Sequence, residues 1–307
     1  MPSHLVQTNG VRITRCQSWD EFIQGLRHVA AKHHAPRLFR GHARPNWKLS
    51  STWERELNRF RSEERPFSRR RIYEATGGYE RERDSGLEKF KQLAKAMPEI
   101  PLQINDPDDD WWALGRHYGL ETPLLDWSRS PFIAAFWAFA ERLEAERARP
   151  DRTHKMTITY ESEQPVVVWE LGYLDPDPIA SQGRRVFEES EFDLIDNATY
   201  DLHRQRAQQG VFTRLEHDEY TDVESYLASK GLGGFLERYE VPCYSMDDLS
   251  VAMSDLERMN IHYGTVFPDP QGAALQTNME PEWDMFRNEG EGSHETPVWG
   301  RAPVIEG

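Results

Sequence analysis

Arg116-His117-Tyr118-Gly119-Leu120-Glu121-Thr122-Pro123-Leu124-Leu125-Asp126-Trp127-Ser128-Arg129-Ser130-Pro131 holds a helix end, a strand and a helix start in one short stretch. Gly119 suits the residue after a helix, because glycine enters the left-handed region without strain. Thr122 to Trp127 has strand character. Ser130-Pro131 then opens a second helix with proline at the first helical position, where its missing N–H costs nothing. His117, Thr122, Asp126 and Ser128 interrupt this buried pattern with polar groups. They either present donors and an acid to one ligand or serve only to cap and satisfy local backbone.

Outward from this stretch, Asp108-Asp109-Asp110 reads as the cap of a short helix carrying Trp111-Trp112. Downstream, the helix from Pro131 buries Phe132, Ala135, Phe136 and Phe139 and becomes charged after Glu141. Nearer the N-terminus, Ser18-Trp19-Asp20-Glu21 is a capping-box signature for a helix over about 18–32. Arg37 to His42 reads as a strand, and helices are expected near 53–71 and 80–97. Residues 155–160 and 165–171 are β-branched and aromatic and suggest a hairpin, and strands follow at 210–212 and 236–241. Thr221-Asp222-Val223-Glu224 caps a further helix, and another covers 247–260. The order lacks regular βαβ alternation, so the expected class is α+β. One domain over 18–275 is expected, after an N-terminal extension at 1–17. From Gln276 the chain turns polar, and 276–307 reads as a loosely ordered acidic tail.

The formal charge of −15 is unevenly spread. The first hundred residues carry 20 basic and 12 acidic groups, and the rest carry 17 and 40. An acidic body argues against broad polyphosphate binding, which depends on neutralising phosphates, while leaving room for a local basic face. With 38% hydrophobic residues and ten Trp the chain can bury a sizeable core. The longest apolar run, Pro131 to Ala140, falls far short of the roughly 20 residues that span a bilayer. The N-terminus has no signal-peptide pattern, so a cytoplasmic protein without membrane contact is expected. Cys16 and Cys243 form no metal or disulfide pattern, and no metal site is expected. His33-His34 reads as a pair at a helix end rather than a metal site. Arg55, Arg59, Arg61, Arg65 and Arg69 to Arg71 form a basic cluster, either a solvated helix face or a patch for nucleic acid or an acidic partner.

Two further segments carry polar groups within buried patterns. In Phe39-Arg40-Gly41-His42, followed by Trp47-Lys48-Leu49, an arginine on a buried strand must be paired or face a cleft. In Gln205-Arg206-Ala207-Gln208-Gln209-Gly210-Val211-Phe212, amides precede a buried strand. Together with the central stretch and with Val266-Phe267-Pro268-Asp269-Pro270-Gln271-Gly272, these segments resemble the FRG domain over roughly 18–275. Three positions depart from the usual pattern: Arg116 stands where glutamine often does, Glu121 where proline is common, and Pro123 where arginine is frequent.

The same blocks are similar to the scattered motifs of the ADP-ribosyltransferase fold. The resemblance implies a single domain with a split mixed or antiparallel β-sheet, flanked by helices, that clasps NAD as substrate. It implies that Arg40 and Gly41 hold the diphosphate, since a guanidinium fork suits phosphate oxygens. Thr122, Trp127 and Ser128 would belong to the pocket wall. Gln208 would take the late position beside the ribose hydroxyls. Asp126 would stabilise positive charge on the sugar or activate an acceptor, unless it only caps the helix at Pro131, and His117 is a weaker catalytic candidate. A late Glu-x-Glu, common in bacterial transferases of this fold, has no distinctive match here. The implied activity is cleavage of the nicotinamide–ribose bond, with transfer to an unidentified macromolecular acceptor, protein or nucleic acid, or with hydrolysis of NAD. A bacterial toxin or anti-phage role, and a homo-oligomer or regulatory partner, belong to the same expectation. A non-catalytic nucleotide- or protein-binding module is the alternative.

Overall fold

The computed structural model describes residues 5–8, 10–32, 37–61, 79–97, 100, 106–147, 164–172, 192–196, 203–216 and 219–289. Strands β1 (Leu5–Thr8), β2 (Val11–Arg15), β3 (Arg37–His42), β4 (Leu124–Ser128), β5 (Val166–Gly172), β6 (Phe192–Ile195), β7 (Gly210–Leu215) and β8 (Leu236–Val241) form one sheet. Its order is β1-β2-β8-β5-β3-β4-β7-β6. Every neighbouring pair is antiparallel except β2 and β8. Val166-Val167-Val168-Trp169 is buried on both faces of β5, as a strand covered on both sides must be.

The sheet is almost divided in two. β3 pairs with β5 over six residues, from Arg37↔Gly172 to His42↔Val167, but with β4 only at Phe39↔Ser128. Beyond that pair the two strands diverge into a fork, so the sheet stays continuous yet opens beside Arg40 and Asp126. The expected mixed sheet flanked by helices is present, but it is one continuous eight-stranded sheet rather than a split one.

The helices are α1 (Trp19–Lys32), α2 (Thr52–Arg61), α3 (Tyr79–Ala94), α4 (Asp108–His117), α5 (Pro131–Arg147), α6 (His203–Ala207), α7 (Val223–Ser229), α8 (Met246–Arg258), α9 (Tyr263–Val266) and α10 (Pro270–Glu289). Helices α1, α5 and α8 cover one face, packing Phe22, Phe136, Phe139 and Met253 against Val166, Val168, Tyr239 and Val241. Each fully buried phenylalanine contributes about 1.5–3 kcal/mol. On the opposite face, Val223, Tyr226 and Leu227 of α7 pack with Trp127, Val167 and Trp169. Helices α3 and α4 cover the β4–β7–β6 half through Leu87, Trp111, Leu114, Leu124 and Phe212. Gly41 is required where β3 meets α5, because a β-carbon there would overlap the carbonyl oxygen of Ala134.

Several expectations are corrected. Residues 1–17 are no mere extension, because β1 and β2 complete the sheet. Arg12 and Arg15 pair with Glu237 and Glu240 across the β2–β8 register. Asp108-Asp109-Asp110 occupies the first turn of α4 rather than its cap, with Asp108 bonded by Lys91 and Asp109 by Arg214. Carboxylates are favoured there by the helix dipole. Both edges of β5 belong to β3 and β8, so the 155–160/165–171 hairpin is not formed, and 155–160 lies outside the described residues. Gln276 falls within α10, which runs on to Glu289, so the tail does not start there. His33-His34 and residues 62–78, with Arg65 and Arg69 to Arg71, lie outside the described residues. Arg59 pairs with Glu56. Among the described residues no helix is long and apolar enough to cross a membrane.

Candidate functional site

The fork between β3 and β4 opens into a cavity of about 540 Å³. Its walls are the β3 segment Phe39 to Gly41, the β4 segment Asp126 to Ser128, the end of α4, one stripe of α5, the α6–β7 connection, and Tyr263 and Phe267. The size suits a small organic ligand.

The basic wall is built around Arg40. Its Nη1 donates to the main-chain carbonyl of Asp126 (2.6 Å) and its Nε to Nε2 of His42 (3.1 Å). To accept that bond His42 must be neutral at Nε2, with its proton on Nδ1. Burial, reinforced by the Arg40 charge, holds the imidazole well below its ordinary pKa. Burial also lowers the Arg40 pKa to about 10, against the pull of Asp126, so the guanidinium remains charged at neutral pH.

The Asp126 carboxylate belongs to Arg116, which holds it through Nε (3.0 Å) and Nη2. Burial alone would raise the Asp126 pKa, but the charge and hydrogen bonds of Arg116, with Arg40, outweigh it and keep the acid below its usual range. Asp126 is therefore an ionised counter-charge, unsuited to proton transfer near neutral pH. Two arginines share one carboxylate, which leaves the wall net positive. Arg116, one of the departures from the FRG pattern, is part of this wall.

Of the expected site residues, Arg40, Gly41, His117, Asp126, Trp127, Ser128 and Gln208 line the cavity, and Thr122 does not. Thr122 is fully buried at a joint with α2, donating its N–H to Thr52 Oγ1 (2.9 Å) and accepting Trp53 N–H at its carbonyl (3.1 Å). Trp127 borders the cavity. Its indole lies in the core of the opposite face, with Nε1 donating to Thr213 Oγ1 (2.8 Å). The Ser128 hydroxyl donates to the Gln208 carbonyl (2.7 Å) and accepts from Ser130 N–H (3.0 Å), which fixes the turn before β7. In that turn Gln209 takes φ +48°. The Gln208 amide donates to the Val266 carbonyl (3.3 Å) and so ties the turn to α9. His117 stacks edge-on with Tyr118, and burial followed by the nearby Arg204 lowers its pKa.

Sequence reasoning missed the wall opposite. Ala134, Trp137, Glu141 and Glu144 of α5 line the cavity at i, i+3, i+7 and i+10, a single helical stripe. Trp137 and Phe267 meet edge-to-face at 5.0 Å, and Arg204 lies 4.7 Å over the Phe267 ring while bonded to Asp269. Tyr263 donates its hydroxyl to Glu144. The helical period was the signal available, but charge at the end of an apolar helix reads as solvent exposure. The cavity thus carries both signs of charge, with Arg40 and Arg116 at the fork, Arg204 over Phe267, and the carboxylates of Glu141 and Glu144 with the aromatic rings beside them. Among the described residues no cluster suited to a metal ion is present.

A family model, the FRG domain, matches residues 35–147. The matched span runs from β3 through α5 and contains Arg40, Arg116, Asp126 and Glu141, but not Gln208. No curated protein and no solved structure matches the chain.

Proposed function

We propose that the cavity binds NAD and that the protein cleaves the nicotinamide–ribose bond, as a transferase onto a macromolecular acceptor or as an NAD hydrolase. The mixed charge of the cavity lining carries this reading. NAD joins an anionic diphosphate to a cationic nicotinamide ring, and the cavity is lined both by Arg40 and Arg116 and by Glu141, Glu144 and Trp137. Guanidinium forks suit the phosphate oxygens. Carboxylate and aromatic groups suit a cationic ring and the positive charge that grows on the sugar as the bond breaks. The fork in the sheet and the likeness of the motifs to ADP-ribosyltransferases favour the same substrate. A toxin or anti-phage effector is the biological setting this chemistry suggests.

The test is nicotinamide release from NAD by purified protein, followed by chromatography, with Arg40→Ala and Gln208→Ala alongside. Release by the wild type and its loss in Arg40→Ala is the expected result. If no release occurs under any activating condition, phage extract included, the hydrolase form is wrong, and a labelled-NAD screen of protein, RNA and DNA decides transfer. One observation favours a binding module instead: Gln208, at the late position, cannot accept a proton. Calorimetry showing nucleotide binding without turnover would establish that alternative.

A further inference from the structure

Five acidic or amide side chains line this cavity, and four are already engaged, among them Gln205, whose amide donates to the Gly210 carbonyl (3.4 Å). Asp126 is held by Arg116 and lies beside Arg40. Glu144 accepts the hydroxyl of Tyr263, a residue fully buried against Phe136. Gln208 gives its amide to the Val266 carbonyl and has no acid–base capacity. Glu141 lines the cavity with no hydrogen bond or ion pair among the described residues. The close approach of Gly41 to Ala134 places the N-terminal part of the α5 stripe beside Arg40. Seven residues further on, about 10 Å along the helix axis, Glu141 projects from the same stripe, and its side chain leans back toward the fork.

We infer that Glu141 is the catalytic carboxylate of the cavity, contacting the nicotinamide-side ribose and taking the proton of the attacking nucleophile. The inference rests on the NAD reading and goes beyond it by assigning the chemistry to a residue on α5 rather than to Asp126 or Gln208. In the hydrolytic reaction the C1′–N bond breaks and its electron pair stays with nicotinamide, which leaves neutral. Water oxygen bonds to C1′, and the water proton passes to the Glu141 carboxylate. An acceptor hydroxyl or amine takes the place of water in transfer. The carboxylate also faces the positive charge on the sugar before the new bond forms. The groups around Glu141 are Arg40 from β3, Arg44 from the loop after it, Arg55 from α2 and Glu144 one turn away on α5. His117, Arg204 and the Asp126–Arg116 pair lie along the other walls. Burial, with a smaller contribution from Glu144, raises the Glu141 pKa against the opposing arginines. A base with a raised pKa is ionised, and active, only above that pKa, so the acidic limb of the rate profile is displaced upward.

The experiment compares wild type, Glu141→Gln and Glu141→Asp in nicotinamide release between pH 4.5 and 9, with NAD binding by calorimetry and thermal melting as a check on folding. Folded Glu141→Gln should still bind NAD through the Arg40–Arg116 wall, lose at least about 100-fold in kcat and lack the acidic limb. Glu141→Asp should restore part of the rate together with the limb. If the wild type releases nicotinamide and folded Glu141→Gln keeps its rate and limb, the Glu141 assignment is overturned and the NAD reading stands. If the wild type neither releases nicotinamide nor transfers ADP-ribose, the reading fails and the assignment falls with it.

Discussion

Arg40 bonds the main-chain carbonyl of Asp126 at 2.6 Å, while the carboxylate of the same residue, 3.7 Å away, is held by Arg116. The two arginines thus grip β4 at different atoms, and the carboxylate keeps them from repelling each other across the fork. Asp126→Asn should therefore act on stability first. Removing one member of a buried pair costs about 3–5 kcal/mol. The Asp126 side chain is 41% exposed to the cavity, so about 1–3 kcal/mol is the expected loss after solvent screening. That corresponds to a melting temperature lower by roughly 2–10 °C. The Asp126 pKa lies below its unfolded value, so its stabilisation is present above about pH 3.9 and fades only below that. The deficit of the variant should be the same at pH 5 and pH 8. An unchanged melting temperature at both values would show that the pair contributes nothing.

Arg40 uses separate nitrogens for His42 and for the Asp126 carbonyl, in one plane. A lysine ammonium cannot reproduce that fork. Calorimetric titration with ADP-ribose should show about 10- to 100-fold weaker binding for Arg40→Ala, the range of one or two charge-assisted bonds. Arg40→Lys should lie closer to the alanine variant than to wild type. Wild-type affinity in Arg40→Lys would mean that only the charge matters.

Much of the fold can be read from local pattern. The strand of β3, the turn at Gly119, the strand of β4 and the start of α5 at Pro131 all follow from turn chemistry and periodicity. The strand β2 was illegible for a physical reason. Val11-Arg12-Ile13-Thr14-Arg15 is short and half polar, and the glutamates that neutralise its arginines lie more than two hundred residues away on β8. By contrast, α10 carried a readable signal that polar composition concealed. Asp269 accepts the N–H groups of Gln271 and Gly272, and Pro270 takes the first helical position. At the site, the arginine wall was legible because a charge on a buried strand demands a partner. Glu141 was not, because whether charge at a helix end meets solvent or a cavity depends on what packs opposite. Trp127 and Thr122 look alike as polar or aromatic members of the central stretch. Strand alternation and the α2 joint commit the Trp127 indole to Thr213 and Thr122 to Thr52.

Gly41 offers a test of the β3–α5 contact that needs no ligand. A β-carbon at 41 would meet main-chain atoms of Ala134 and Ala138, which cannot rotate away. Gly41→Ala should lower stability in urea unfolding by about 3 kcal/mol or more, the upper range of overpacking. Gly86→Ala is the control, since nothing lies near a β-carbon on that residue of α3. It should gain about 0.5–1 kcal/mol from helix propensity and a less flexible unfolded chain. Equal effects for the two variants would refute the close-contact account.

Glu54 and Glu224 give the stability a pH dependence of the opposite sign to that of Asp126. Glu54 is buried in the first turn of α2 and accepts Ser51 N–H, and Glu224 accepts Leu49 N–H from α7. Burial raises both pKa values to about 7, with Asp222 adding to each. In the unfolded chain a glutamate titrates near 4.3. Between these values the folded state binds more protons than the unfolded state, so stability falls as pH rises, and the loss is complete above about pH 7. Each group corresponds to about 4 kcal/mol at 1.36 kcal/mol per unit of pKa. Glu54→Gln keeps an acceptor for Ser51 N–H but cannot ionise. In urea unfolding it should match wild type near pH 4 and exceed it at pH 8 by up to about 4 kcal/mol. If the variant is no more stable than wild type at pH 8, the carboxyl is ionised there without penalty, and the cluster of Glu54, Asp222 and Glu224 does not set the pH response.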